Sequence, residues 1–140
     1  MKVRELMTAP ALSIQPGESV EVAARTLTQY NIGALPVCSA NGQLHGLVTD
    51  RDLMVRCVAA GRSAKTTRVA DVMSTGVSFV SPDTDAGAAA HLMGRQQVRR
   101  LPVVEEGKLK GMLTLADLAR REDSIMDAAD ALGEISDNVR

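Results

Sequence analysis

Two short runs carry the side chains in this chain best placed to do chemistry. Gly46-Leu-Val-Thr49-Asp-Arg-Asp52 and Gly111-Met-Leu-Thr114-Leu-Ala-Asp117 share the pattern Gly-x-x-Thr-x-x-Asp. In both, an apolar β-prone stretch gives way to a helix. The first turn of a helix has unpaired N–H groups and a partial positive charge, which favour a phosphate. A threonine hydroxyl there can add a hydrogen bond to the phosphate. An aspartate one turn in can accept hydrogen bonds from two vicinal ribose hydroxyls. Thr-x-x-Asp is also the spacing of a capping box, which would merely start the helix. Recurrence at the same structural address favours the functional reading. Nearby cations differ between the copies: Arg51 is matched by Ala116, and Arg99-Arg100 by Gly33-Ala34. Each copy therefore brings its own cation to its own candidate site, with Arg51 serving the first and Arg99 and Arg100 the second.

Other chemistries are poorly supplied. The chain has 140 residues, with 16 Lys+Arg against 17 Asp+Glu and a formal net charge of −1. That balance argues against binding nucleic acid through overall charge. There is no Trp, and Tyr30 and Phe79 are the only aromatic residues, too few for a base-stacking platform or an aromatic cage. His45 and His91 have no partners at metal-ligand spacing, so no metal site is expected. Cys38 and Cys57 fit neither a CxxC motif nor a disulfide framework and read as reduced, half-buried thiols, with a redox role as the alternative. The methionines suit adaptable core filling. No nucleophile–base pair or paired-carboxylate cleft is evident, so an enzyme is not expected. Neither a secretory leader nor an apolar run of membrane-spanning length is present, and a cytoplasmic protein is the expectation.

The elements that must position these residues are themselves duplicated. Val3, Met7, Pro16 and Leu35-Pro-Val37 recur as Val69, Met73, Pro82 and Leu101-Pro-Val103; after a one-residue slip, Gly42, Leu44 and Leu53 recur as Gly107, Leu109 and Leu118. The repeats are placed at 3–60 and 69–121, with a linker at 61–68 and a tail at 122–140. Leu12-Ser-Ile14 and Val77-Ser-Phe-Val80 read as strands closed by Pro16 and Pro82. Ser19 and Asp85 suit helix N-caps. Val20, Ala23, Ala24 and Leu27 form the core stripe of a helix ending near Asn31. Leu35–Val37 and Leu44–Val48 flank the Asn41-Gly42 turn as a hairpin. A second helix is predicted from about Asp50 to Ala60, with Gly61 just past its end; its counterpart starts near Leu115. Each repeat therefore reads β-α-β-β-α, too small to bury much alone. The predicted fold is α+β, a pseudo-two-fold pair of such motifs packed sheet against sheet. In the tail, Ile125, Ala128, Ala129 and Leu132 give an amphipathic helix that packs on its own module or on a second copy.

A Met-Thr/Ser pair near the start, an hxxLPVh strand and a GhhTxxD junction, all present twice, resemble a tandem pair of CBS domains. The resemblance covers about residues 3–121, with 1–121 as one CBS-pair module. Asn31–Cys38 followed by Leu44–Leu53 is particularly similar to small stand-alone bacterial proteins of the hypoxic response protein family. The resemblance implies a regulatory sensor that binds adenosine nucleotides or related adenosyl ligands and relays the state to a protein partner, itself unknown. It implies ribose at Asp52 and Asp117, phosphate beside Thr49 and Thr114 with Arg51 and Arg100, and the base near the backbone of Ala11 and Val77 and the side chains of Ile32 and Val98. No required cofactor is implied; AMP, ADP, ATP or NAD is the expected ligand class. A homodimer is expected, because the helix Leu53–Ala60 is apolar around more of its circumference than one-sided packing requires. A ligand-independent or redox-responsive interaction module is the alternative function, and a nucleotide-acting enzyme a further one.

Overall fold

The computed structural model describes residues 1–137. Two compact units emerge, and they cut across the sequence repeats. One is Leu12–Val77; the other joins Met1–Ala11 to the chain from Ser78 onward.

In the Leu12–Val77 unit, helix α1 (Val20–Tyr30) starts at Ser19, whose hydroxyl accepts the Val22 N–H at 3.1 Å. It ends at Asn31, which adopts the left-handed conformation (φ 52°) that asparagine tolerates at a helix end. Val20, Ala23 and Leu27 are buried along the predicted stripe. Strands β1 (Ala34–Cys38) and β2 (Leu44–Thr49) form an antiparallel hairpin, with Ala34 opposite Thr49 and a bulge after Val37. Gly42 takes φ 88° in the connecting turn, a conformation glycine adopts without steric cost. Helix α2 (Asp50–Leu53) continues as a wider π-type turn over Met54–Val58, and Gly61 follows with φ 73°. The core gathers Val20, Leu27, Leu35, Val37, Val48 and Cys57. Full burial of a Val or Leu side chain contributes about 1.5–3 kcal/mol, so this cluster is the main local source of stability.

The other unit repeats the plan with α3 (Ala86–Gln96), β3 (Arg100–Glu105), β4 (Lys108–Thr114) and α4 (Leu115–Ala119), then adds α5 (Ile125–Asp137). Asp85 caps α3 by accepting the Gly87 N–H at 3.0 Å. Met93, Leu101, Val103, Leu113 and Leu118 are fully buried, and Ala128, Ala131 and Ile135 of α5 join that core. The architecture is α+β, with two two-stranded antiparallel sheets and a C-terminal helix.

The predicted strands at Leu12–Ile14 and Val77–Val80 shrink to single parallel bridges, Ile14 to Val37 and Val80 to Val103. Prolines set the limit. The Ile14 N–H donates to the Pro36 carbonyl at 3.0 Å, and the Val80 N–H to the Pro102 carbonyl at 3.1 Å. The next rung of each ladder would need an N–H from Pro36 or Pro102, and proline has none.

The exchange of segments between repeats is anchored by two valines. Val3 and Val69 are fully buried, each in a short 3-10 turn. Val3 lies in the core with Met93 and Leu101, while Val69 lies in the core with Leu27 and Leu35. Thr8 and Met112 exchange backbone hydrogen bonds of 2.9 and 3.0 Å; Leu47 and Ser74 do so at 3.0 and 2.8 Å. The free edge of each hairpin is thereby satisfied.

The tail helix departs from its predicted face. Ala128, Ala131 and Ile135 are buried, whereas Ile125 and Leu132 are not. At Gly94 of α3 the two helices lie close: a Cβ there would collide with the Glu134 carboxylate and stand 3.4 Å from the Ala131 Cα.

Candidate functional site

Each candidate site grows from the junction of a hairpin's second strand with a short helix. At Thr49 the backbone is still extended (φ −115°, ψ 163°), and the next residue is helical. The Thr49 Oγ1 accepts the Asp52 N–H at 3.0 Å, and the Asp52 Oδ2 accepts the Thr49 N–H at 3.0 Å. Thr114 and Asp117 repeat the exchange at 3.1 and 2.9 Å. Both are complete capping boxes. The Thr-x-x-Asp signal thus has a structural basis that needs no ligand. The glycine of the motif is structural too. A Cβ at Gly46 would collide with the Ser74 carbonyl oxygen, and one at Gly111 would lie 2.7 Å from the Thr8 carbonyl oxygen. Only glycine lets the exchanged segment pass.

Beyond this scaffold, each aspartate keeps a second oxygen. Asp52 Oδ1 accepts the Ser74 hydroxyl at 3.1 Å, and Asp117 Oδ1 accepts the Arg120 guanidinium at 2.9 Å. The carboxylates are only 8% and 7% exposed. These partners escaped the sequence reading. Ser74 was visible as part of the repeated Met-Thr/Ser pair, whereas Arg120 has no counterpart in the first repeat, where Val55 stands.

The loop before each hairpin is tied to the same helix start. The Asp50 N–H donates to the Gly33 carbonyl at 3.1 Å, and the Leu115 N–H to the Arg99 carbonyl at 2.8 Å. Ile32 follows the end of α1 and is partly exposed; Val98 follows the end of α3 and is half-buried. Ile32, Thr49, Arg51, Asp52 and Val77 fall in the Leu12–Val77 unit, and Ala11, Val98, Arg99, Arg100, Thr114 and Asp117 in the other. Arg100 stands directly across the ladder from Thr114. None of the ion pairs among the described residues engages Arg51, Arg99 or Arg100.

In the second of these groups, Arg99, Arg100 and Thr114 line a cleft of about 520 Å³. The first residues of α4 form its floor, and α5 contributes Ile125, Ala129 and Leu132. Asp117, Val98 and Ala11 are not among its lining residues. The α5 stripe is legible in the sequence as a face for the module or for a second copy; that it lines a cleft is not, and within this chain only Ala128 of the four is buried.

His45 and His91 lie exposed on β2 and α3. Cys38 and Cys57 are buried and unbridged. Burial pushes the Cys38 thiol up, against a smaller opposing effect of its hydrogen bond with Ser13. Among the described residues, no group of three or more His, Cys, Asp or Glu side chains is placed to hold a metal ion. No helix among them is long and apolar enough to cross a membrane.

With this geometry established, known proteins give a consistent comparison. The family model for the CBS domain matches twice, at residues 3–58 and 69–124. The CBS domain-containing protein YhcV of Bacillus subtilis is 38% identical over 134 residues, spanning 96% of this chain and 94% of its own. The crystal structure of Hypoxic Response Protein I with two coordinated zinc ions is 32% identical, with a TM-score of 0.81 over 86% of this chain and 98% of its own. The structure of CBSX2 in complex with AMP is 30% identical, with a TM-score of 0.76 over 89% and 98% of the two chains.

Proposed function

The chain belongs to the CBS domain family as a tandem pair, and from that premise we propose that it is a non-enzymatic regulatory module binding adenosine nucleotides at its two strand-to-helix junctions. The observation that carries the reading is a cation pair: among the described residues Arg99 and Arg100 have no ion-pair partner, they share one cleft with Thr114, and no acidic side chain lines it. Such a site suits a phosphate. Asp52 and Asp117 serve as ribose acceptors through the oxygens now held by Ser74 and Arg120. The base would lie by Val77 and Ile32 at the first junction and by Ala11 and Val98 at the second, each pair within its own unit. The AMP complex of CBSX2 supports this ligand class. The first junction, with Arg51 as its cation, is a second and weaker site.

The redox alternative is disfavoured by burial, since a thiol held in its protonated form is a poor nucleophile. Self-association is part of the proposal. Met54 and Val58 are 66% and 70% exposed, and Val55 lies between them, an apolar strip that a second copy would cover. Substituting Met54→Asp should then lower the mass seen by light scattering to that of one chain; a parent protein already monomeric at tens of micromolar removes this part. No membrane or nucleic-acid partner is proposed, and the regulated protein partner is unassigned.

Thermal unfolding with AMP, ADP, ATP, NAD and S-adenosylmethionine tests the ligand class. A ligand that binds only the folded state stabilises it by about 2.7 kcal/mol at a hundred times its dissociation constant. At least one compound should raise the midpoint in a concentration-dependent way. Silence from all of them at millimolar concentration overturns nucleotide sensing.

A further inference from the structure

The cleft beside β3 has a lining of two kinds. Arg99, Arg100 and Thr114 are its polar residues; α5 contributes Ile125, Ala128, Ala129 and Leu132. Ile125 and Leu132 remain 48% and 43% exposed. The helix does not need them to stay docked. Ala128, Ala131 and Ile135 bury its other face, the Ser124 hydroxyl donates to the Leu118 carbonyl at 2.5 Å, and the Gln97 side-chain amide donates to the Glu134 carbonyl at 3.3 Å. Helix α5 therefore has two apolar faces, one spent on the core and one lining an open cleft that Arg99 and Arg100 also line.

A cation pair facing an apolar wall fits a ligand that is anionic in the middle and carries an uncharged apolar group beyond. A positively charged ring would meet Arg99 and Arg100 with no acidic side chain in the lining to offset them. Resting on the nucleotide reading, in which Arg100 and Thr114 meet the phosphate, we propose that α5 forms a subsite for the group attached on the far side of that phosphate. The site then prefers a dinucleotide ending in a neutral ring, of the reduced nicotinamide type, over a nucleotide that ends at its phosphates or in a sugar. Helix α5 lies outside both repeats, and the Leu12–Val77 unit contains no α-helix after α2 to match it. Burial of the ring against aliphatic side chains supplies the preference.

Titration calorimetry on the full chain with NADH and with ADP-ribose, which lacks only the terminal ring, isolates the subsite. The parent should bind NADH about tenfold more tightly than ADP-ribose, equivalent to ~1.4 kcal/mol. The double variant Ile125→Gln/Leu132→Gln should bring the two ligands to within about twofold while keeping the parent affinity for ADP-ribose. Both positions are partly exposed and glutamine is a good helix former, so folding should persist. Should the double variant unfold, Leu132→Gln alone should still narrow the ratio. Equal affinities in the parent, or a preference untouched by the variants, overturn the subsite and leave nucleotide binding standing. AMP binding without NADH or ADP-ribose binding has the same consequence. Failure of every adenosine compound to bind overturns the functional reading itself, and the subsite with it.

Discussion

At the first junction the buried Asp52 receives a neutral hydroxyl from Ser74, a residue delivered by the exchanged segment; at the second, Asp117 receives the Arg120 guanidinium from its own helix. Up to that point the junctions match nearly atom for atom, with the same capping box and the same glycine under a crossing backbone. The repeated part of the motif builds the scaffold. What differs between the copies (Arg51 against Ala116, Gly33-Ala34 against Arg99-Arg100, and α5 on one side only) is where ligand preference would be set. The duplicated residues build the scaffold, and the departures are where the two junctions differ chemically.

The sharpest way to break the comparison is at the glycines. Gly46→Ala drives a Cβ into the Ser74 carbonyl, and Gly111→Ala places one 2.7 Å from the Thr8 carbonyl. Overpacking costs about 1–3 kcal/mol, and Gly46→Ala should lie at or above the top of that range, with Gly111→Ala below it. Urea unfolding midpoints measure both. Equal, negligible shifts would show that the crossing segments give way easily.

The caps come next. Thr49→Ala and Thr114→Ala should each lower stability by about 1 kcal/mol, since each removes one half of an intact capping box. If the scaffolds are equivalent, the two losses match.

The partners of the second aspartate oxygens should separate the copies again. Ser74→Ala removes a hydrogen bond to a buried carboxylate and should cost about 1 kcal/mol. Arg120→Ala should cost less, roughly 0.5 kcal/mol, because the arginine side chain is 72% exposed and its charge is screened by water.

The smallest effect is on the acid side. The Arg4 guanidinium donates to Asp83 Oδ1 at 2.6 Å and, chiefly through that hydrogen bonding, holds the carboxyl below its usual range. A lowered folded value means the contribution is complete above the unfolded value of about 3.9 and fades as pH falls through the folded one. Asp83→Asn should therefore change stability slightly near neutrality and reduce its slope below about pH 4. Unfolding curves from pH 2 to 7 for parent and variant check the sign.

Much of the fold was legible in the chain. Ser19, Asp85, Asn31 and the Asn41-Gly42 turn are local signals, set by side chains within a few residues of the backbone they cap or reverse, and each appears where predicted. What escaped was non-local. The shortening of the Leu12 and Val77 strands depends on prolines more than twenty residues away. The segment exchange depends on which core has room for Val3 or Val69. The orientation of α5 depends on the core that Ala128, Ala131 and Ile135 join with residues of α3 and β3. Of the cleft lining, Arg99, Arg100 and Thr114 were legible because charge and repeat position are written in the chain. The α5 wall was not, because periodicity identifies an apolar face without saying what it faces.

Arg100 offers the most direct test of the central claim, that the second junction holds a nucleotide through its phosphate. Calorimetric titration of AMP and of adenosine into the parent and into Arg100→Ala separates charge recognition from everything else. The arginine lines the cleft and has no ion-pair partner among the described residues, so its removal should leave the fold intact. AMP should bind the variant more weakly by about 1.5–3 kcal/mol, roughly tenfold to more than a hundredfold, while adenosine binds both proteins alike. An Arg100→Ala protein that binds AMP as tightly as the parent would contradict the account.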